Sequence, residues 1–197
     1  MNANPFNEFA ALHTVFLSLP DNSILHLANS MSVRYANYLG LSEHKNNIEV
    51  FANRGTSGID GVISTAYGAA LQTDKIVTAI TGDMSFFYDR NAFWNNYTPA
   101  NLRIVILNNH GGGIFRIIDG PNKQPELDEY FETKQNLIAE NTAKDYNLEY
   151  YFCSNNSEIE TALRSFFEPG PKSKILEIET NSKTNTEIFH QFKKLIS

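Results

Sequence analysis

Two stretches decide the fold of this chain: Ile76-Val77-Thr78-Ala79-Ile80-Thr81-Gly82-Asp83-Met84-Ser85 and, one helix and one strand later, Ile104-Val105-Ile106-Leu107-Asn108-Asn109-His110-Gly111-Gly112-Gly113. Each is a short apolar run that breaks into a polar cluster. Continuous β-branched runs suit strands buried on both faces, as in parallel sheets covered by helices. Open parallel sheets bind ligands where their strands end. The first end carries Gly82 and the Asp83 carboxylate; the second carries the Asn109 amide and the carbonyls of a glycine turn. These are hard oxygen ligands, and they suit Mg²⁺, which takes further ligands from substrate phosphates. Gly82 permits a tight turn, and Gly111, Gly112 and Gly113 let backbone approach a ligand closely. Read structurally, Asp83 is instead a helix N-cap and Asn108-Asn109 a strand-end turn.

Working outward, six strand-like runs cover residues 23–28, 48–52, 76–81, 103–107, 149–152 and 174–179. Amphipathic stretches at 6–18, 32–39, 58–72, 85–95, 133–146, 157–167 and 184–195 read as helices. This alternation predicts an α/β fold, a three-layer α/β/α sandwich around a six-stranded parallel sheet. Right-handed crossovers leave few topologies. Segment 119–132 is polar, holds Pro121 and Pro125, and reads as a long loop of the kind that covers active sites. No G-x-G-x-x-G or Walker A pattern is present, so dinucleotide and P-loop readings have no support.

The length of 197 residues fits one domain with a sizeable core, and 42% hydrophobic against 19% charged residues is a globular composition. A net charge of −6, with no Lys/Arg block, argues against nucleic acid as a partner. No apolar run approaches the length of a membrane span. The N-terminus lacks a basic n-region, and Asn7-Glu8 interrupts the apolar residues after it, so no signal peptide is read. Cys153 is the sole cysteine, which fits a reducing, cytoplasmic location, and it ends an apolar run as a core residue would.

Two further strand ends are polar or glycine-rich: Asn29-Ser30-Met31-Ser32-Val33-Arg34 and Asn53-Arg54-Gly55-Thr56-Ser57-Gly58-Ile59-Asp60-Gly61. In a parallel sheet all four loops share one edge. Ser30 could cap a helix, Ser57 to Asp60 fits a capping pattern, and Ile59 reads as core on hydrophobicity alone. Paired Arg34 and Arg54 suggest recognition of carboxylates by the planar guanidinium fork.

Gly-Asp and Asn-Asn just under thirty residues apart, each after a strand, resemble the metal and diphosphate motif of thiamine diphosphate enzymes. All four loops together resemble the C-terminal, diphosphate-binding domain of the 2-succinyl-5-enolpyruvyl-6-hydroxy-3-cyclohexene-1-carboxylate synthase family, which serves menaquinone biosynthesis. The motifs run from Asn29 to Phe115, in the family's order. The resemblance implies that Asp83 and Asn109 hold Mg²⁺, or Mn²⁺, with the Gly111 carbonyl as third protein ligand. Gly82, Met84, Ser85 and Gly112 would complete the cofactor's diphosphate cradle. Ile59 would prop thiamine diphosphate in its bent form. Ser30, Arg34 and Arg54 would face the substrates, and Ile114, Phe115 and Ile118 would line an apolar wall. His110 stands where many relatives have a third Asn, and Ser32 where Pro is common.

The reaction so implied is a transferase reaction: decarboxylation of 2-oxoglutarate and addition of the succinic semialdehyde unit to isochorismate. In that family an activating Glu lies in a separate pyrimidine-binding domain and reaches across a subunit interface of a homo-oligomer. Residues 1–197 therefore read as a single diphosphate-type domain, a C-terminal fragment of a longer enzyme and inactive alone. Two other readings remain: a domain of an acetohydroxyacid synthase or 2-oxoacid decarboxylase, and a non-catalytic Mg²⁺-binding or interaction domain of the same fold.

Overall fold

The computed structural model describes residues 5–41 and 45–196. Residues 1–4, on which the leader reading partly rests, lie outside the described residues, as do the outer ends of the 1–197 domain assignment. Six strands, β1 (Ile24–Leu27), β2 (Glu49–Ala52), β3 (Val77–Gly82), β4 (Leu102–Asn108), β5 (Glu149–Cys153) and β6 (Lys174–Glu179), form one sheet in the order β2-β1-β3-β4-β6-β5. Every neighbouring pair is parallel. The helices are α1 (Glu8–Ser18), α2 (Met31–Leu39), α3 (Val62–Ala70), α4 (Asp83–Tyr88), α5 (Glu140–Asp145), α6 (Asn156–Phe166) and α7 (Ser182–Ile196).

The pleat of the central strands divides the interior into two cores. Leu102, Ile104 and Ile106 of β4 face α3, α4 and α5 with Ile63, Ala66, Phe86 and Ala143. Val105 and Leu107 face α1, α2, α6 and α7 with Leu12, Phe16, Tyr35, Phe166 and Phe189. Alternate side chains of one strand thus serve opposite layers, as a period of two demands. This is the expected three-layer α/β/α arrangement. Among the described residues no helix is long and apolar enough to cross a membrane.

Three sequence expectations need correction. The helix read from residue 58 begins at Val62, because Gly61 takes a left-handed φ of 82° at the N-cap and Ser57 is itself left-handed. The capping pattern Ser57 to Asp60 is therefore loop. The helix read over 133–146 shrinks to α5, since residues 133–139 stay irregular and reach toward the strand ends. The helices expected to cover both faces of the sheet leave β2 bare: it is the outer strand and all four of its residues are exposed.

Segment 119–132 is better organised than the reading of a plain loop implied. It holds a 3₁₀ turn at Pro121–Lys123 and a single π turn at Leu127–Phe131. Arg116 pairs with both Asp128 and Glu132, and Glu132 is buried.

Cys153 is fully buried at the end of β5, and that burial pushes its thiol up to about 12. The native chain should therefore resist alkylation by iodoacetamide at pH 8 and react once unfolded in urea. Fast labelling of the native chain would mean that β5 is not packed as described.

Candidate cofactor and metal site

The site lies where β1, β3 and β4 end. After β1 the chain enters α2 on one face of the sheet, and after β3 it enters α4 on the other. The two helices diverge and open a crevice, the usual ligand position in doubly wound sheets. The crevice holds a cavity of about 280 Å³. That is at the small end of ligand clefts, which run to roughly 300–1,000 Å³. Asn29, Ser30, Ile59, Gly82, Asp83 and Asn109 from all four loops line it, with Met84, Ser85, Gly111, Gly112, Ile114 and Phe115.

Gly82 occupies the N-cap of α4 and makes no side-chain cap bond, so Asp83 is the first helical residue and not the N-cap. Its carboxylate is 1% exposed, and Oδ2 accepts from Gln135 Nε2 at 2.7 Å. Burial raises Asp83 to about 6, against hydrogen bonds from Gln135 and the Met84 backbone, the His110 charge and a hydrogen bond from the Gly111 backbone, which lower it. Opposite, Asn109 Nδ2 donates to Glu8 Oε1 at 2.7 Å, while Asn109 Oδ1 is buried with no protein partner. Buried acceptors are almost always satisfied, so an orphaned amide oxygen beside a carboxylate marks a place for a ligand. The donors on hand are one carboxylate, one amide oxygen and backbone carbonyls. Among the described residues no cluster of three His, Cys, Asp or Glu exists that would suit zinc. The residues present fit Mg²⁺.

The glycines divide into two kinds. A Cβ on Gly111 would lie 2.6 Å from the Glu132 carbonyl oxygen, and one on Gly113 would lie 2.8 Å from Asn109 Nδ2. Backbone blocks a Cβ at Gly111, whereas at Gly113 the obstacle is the end of the Asn109 side chain. No protein atom lies within 4 Å of a Cβ on Gly82, so only the crevice benefits from its absence.

Ser30 holds φ 73° and ψ −132°, a costly conformation for a residue with a side chain, and its hydroxyl makes no capping bond. The capping role considered for it is therefore absent. Ile59 is half-buried at the cavity wall, and its carbonyl accepts a hydrogen bond from Ser85 Oγ. Asp89 steadies the same loop region from below: Oδ2 accepts from the Ser64 amide at 2.7 Å and Oδ1 from its hydroxyl at 2.6 Å, in the first turn of α3.

Arg34 Nη1 donates to the Ser30 carbonyl at 2.7 Å. Burial, then the nearby positive charge of Arg54, holds Arg34 below its usual range. Among the described residues neither Arg34 nor Arg54 forms an ion pair with a carboxylate. Arg34 and Ile118 line a second cavity of about 700 Å³, which shares Met31 and Ile114 with the first. Ile118 thus lies beyond the first cavity's wall, whereas Ile114 and Phe115 line it.

Glu8, Gln135, Tyr130, Phe131 and Thr133 were not foreseen at the site. Glu8 did leave a trace: with Ala11, Leu12, Val15 and Phe16 it falls on the buried stripe of α1, where a charge is out of place. Asn7 caps α1 through Ala10 N at 3.0 Å and sets Glu8 on that stripe. Burial raises Glu8 to about 7. Gln135 lies in the stretch misread as helix and left no signal.

A parallel sheet with a ligand-lined crevice at its switch point is the arrangement of cofactor-binding α/β domains, and the comparisons agree. The family profile described as "Thiamine pyrophosphate enzyme, C-terminal TPP binding domain" matches residues 30–178, and the chain belongs to this family. More particularly, the chain is 65% identical over 191 residues to the 2-succinyl-5-enolpyruvyl-6-hydroxy-3-cyclohexene-1-carboxylate synthase of Cytophaga hutchinsonii, covering 97% of this chain and 34% of that protein. The synthase of the same name from Flavobacterium johnsoniae is 44% identical, with 96% and 34% covered. That from Bacteroides fragilis is 36% identical, with 96% and 35% covered. The chain spans about a third of the length of these curated relatives. The resemblance read from the four loops is thereby established.

Proposed function

We propose that this chain binds Mg²⁺ and the diphosphate of thiamine diphosphate as one part of a synthase that joins 2-oxoglutarate, after decarboxylation, to isochorismate. The observation that carries the reading is the buried Asn109 Oδ1 without a protein partner, on a residue that lines the same cavity as the buried Asp83. Asp83 and Asn109 would hold the ion through side-chain oxygens, and Gly111 through its carbonyl. Gly82 would admit a phosphate next to backbone. Thiamine diphosphate, when bound, supplies the electron sink for decarboxylation and carbon–carbon bond formation.

The protein's own work is binding and orientation. Ile59, at the cavity wall, would be the bulky side chain that props the cofactor in its bent form. Ser30, with its hydroxyl free of capping, and the paired guanidinium groups of Arg34 and Arg54 would bind substrate carboxylates. Two interacting cations without acidic partners are costly unless anions bind between them. Ile114 and Phe115 would exclude water from the reacting carbon.

The pyrimidine end of the cofactor needs a second domain, which this family supplies separately. The 197 residues alone should therefore show no turnover of 2-oxoglutarate with isochorismate. Adding a pyrimidine-binding domain should create activity, and turnover by the isolated chain would overturn the division of the site. In the active assembly, Arg34→Lys and Arg54→Lys should each lower kcat/KM by about 10–100-fold, the loss of roughly 1.5–3 kcal/mol of charged hydrogen bonding. Unchanged constants for both substrates would make these arginines surface residues.

A further inference from the structure

Both side chains assigned to the metal use only half of their polar atoms on it; the other half is tied back into the protein. Asn109 Nδ2 donates to Glu8 Oε1 at 2.7 Å, and Tyr35 Oη donates to Glu8 Oε2 at 3.1 Å. The Glu8 amide donates to Asn185 Oδ1 at 3.0 Å, which fixes the start of α1 against α7. Nδ2 is the atom bonded to Glu8, which leaves Oδ1 as the free end of the Asn109 amide, on a residue that lines the crevice. On the other side, the Leu137 amide donates to Gln135 Oε1. A backbone N–H only donates, so Gln135 must turn Nε2 outward, and it donates to Asp83 Oδ2 at 2.7 Å and to Asn108 Oδ1 at 3.3 Å. Gln135 is itself anchored by its amide to the His110 carbonyl at 3.1 Å.

We infer that Glu8 and Gln135 are positioning residues that set the orientation of the two side-chain metal ligands, Glu8 by turning the Asn109 oxygen and Gln135 by turning the Asp83 carboxylate toward the ion. The inference rests on the metal site proposed above. Both Glu8 oxygens accept hydrogen bonds, from Asn109 and from Tyr35, and these are the contacts through which the positioning acts. The arrangement matches the general way in which outer partners fix ligand geometry, and their loss typically costs about 10–100-fold in metal affinity.

The test is Mn²⁺ binding to the full 197-residue chain in excess thiamine diphosphate, counted by electron paramagnetic resonance and paired with water-proton relaxation. Glu8→Leu and Gln135→Leu should each weaken Mn²⁺ binding by about 10–100-fold. Relaxation per bound Mn²⁺ should rise, because water replaces a ligand that has swung away; a merely structural defect lowers the folded fraction without changing this value. Glu8→Gln still offers an oxygen to Asn109 and should keep most of the affinity, and it covers the case in which Glu8→Leu fails to fold. Loss in Glu8→Gln as large as in Glu8→Leu would overturn orientation as the cause. Asp83→Ala separates the two levels of argument. If it binds Mn²⁺ as the native chain does, the metal site itself is wrong. If it loses Mn²⁺ while Glu8→Leu and Gln135→Leu bind normally, the site stands and the positioning role falls.

Discussion

Replacing Asp83 by alanine should abolish Mg²⁺-dependent binding of thiamine diphosphate in a protein that contains both cofactor-binding domains. Asp83 is the only charged side chain assigned to the ion, so its loss should exceed the roughly 10–100-fold cost of losing an outer-layer partner. The same substitution should leave the chain folded. Asp83 is 1% exposed, and the burial of its carboxylate costs free energy that its hydrogen bonds to the protein offset only in part, since the group is still raised to about 6. Calorimetric titration with the cofactor, with and without Mg²⁺, reads the first expectation. The metal-free melting temperature, equal to or above that of the native chain, reads the second. A variant that keeps the native Mg²⁺ dependence would remove Asp83 from the ligand set.

Alanine at two glycines of the same crevice should have opposite consequences. Gly111→Ala drives a methyl to 2.6 Å from the Glu132 carbonyl oxygen, which Gly112 N also contacts at 2.7 Å, so neither backbone can yield freely. Overpacking of this kind costs about 1–3 kcal/mol, and the turn that would carry the proposed third metal ligand must shift. Both stability and cofactor binding should fall. Gly82→Ala meets no protein atom within 4 Å, and its φ of −83° suits alanine. Stability should hold or rise by about 0.4–1 kcal/mol through the unfolded chain. Cofactor binding should still be lost, because the methyl occupies the space that admits the diphosphate. Urea unfolding paired with cofactor titration distinguishes the two. Gly82→Ala with native cofactor affinity would show that the diphosphate lies elsewhere.

Much of the fold was legible because its signals are local. Buried parallel strands need unbroken apolar runs, and those at β3, β4 and β6 are easy to see. The ends of those runs mark the sheet edge, which is why Gly82, Asp83, Asn109 and Gly111 stood out before any coordinates. The misreadings were equally local in origin. Residues 133–139 have helical composition but are drawn across the strand ends, where Gln135 bonds to Asp83 and Asn108. Tertiary hydrogen bonds override weak propensity there. The β2 run is apolar, yet its position at the end of the strand order leaves it uncovered.

By itself, then, the sequence determined the parallel α/β/α class, the shared edge of four loops and the glycines and oxygen-bearing side chains upon it, because each is a property of a strand and its own terminus. Only the tertiary structure decided which atoms face the crevice. Glu8 comes from the first helix, Asn109 lies 101 positions away, and they meet at 2.7 Å only when α1 packs on the sheet. The sense of an amide, whether it offers oxygen or nitrogen, depends on what its other end touches. No spacing along the chain encodes that contact.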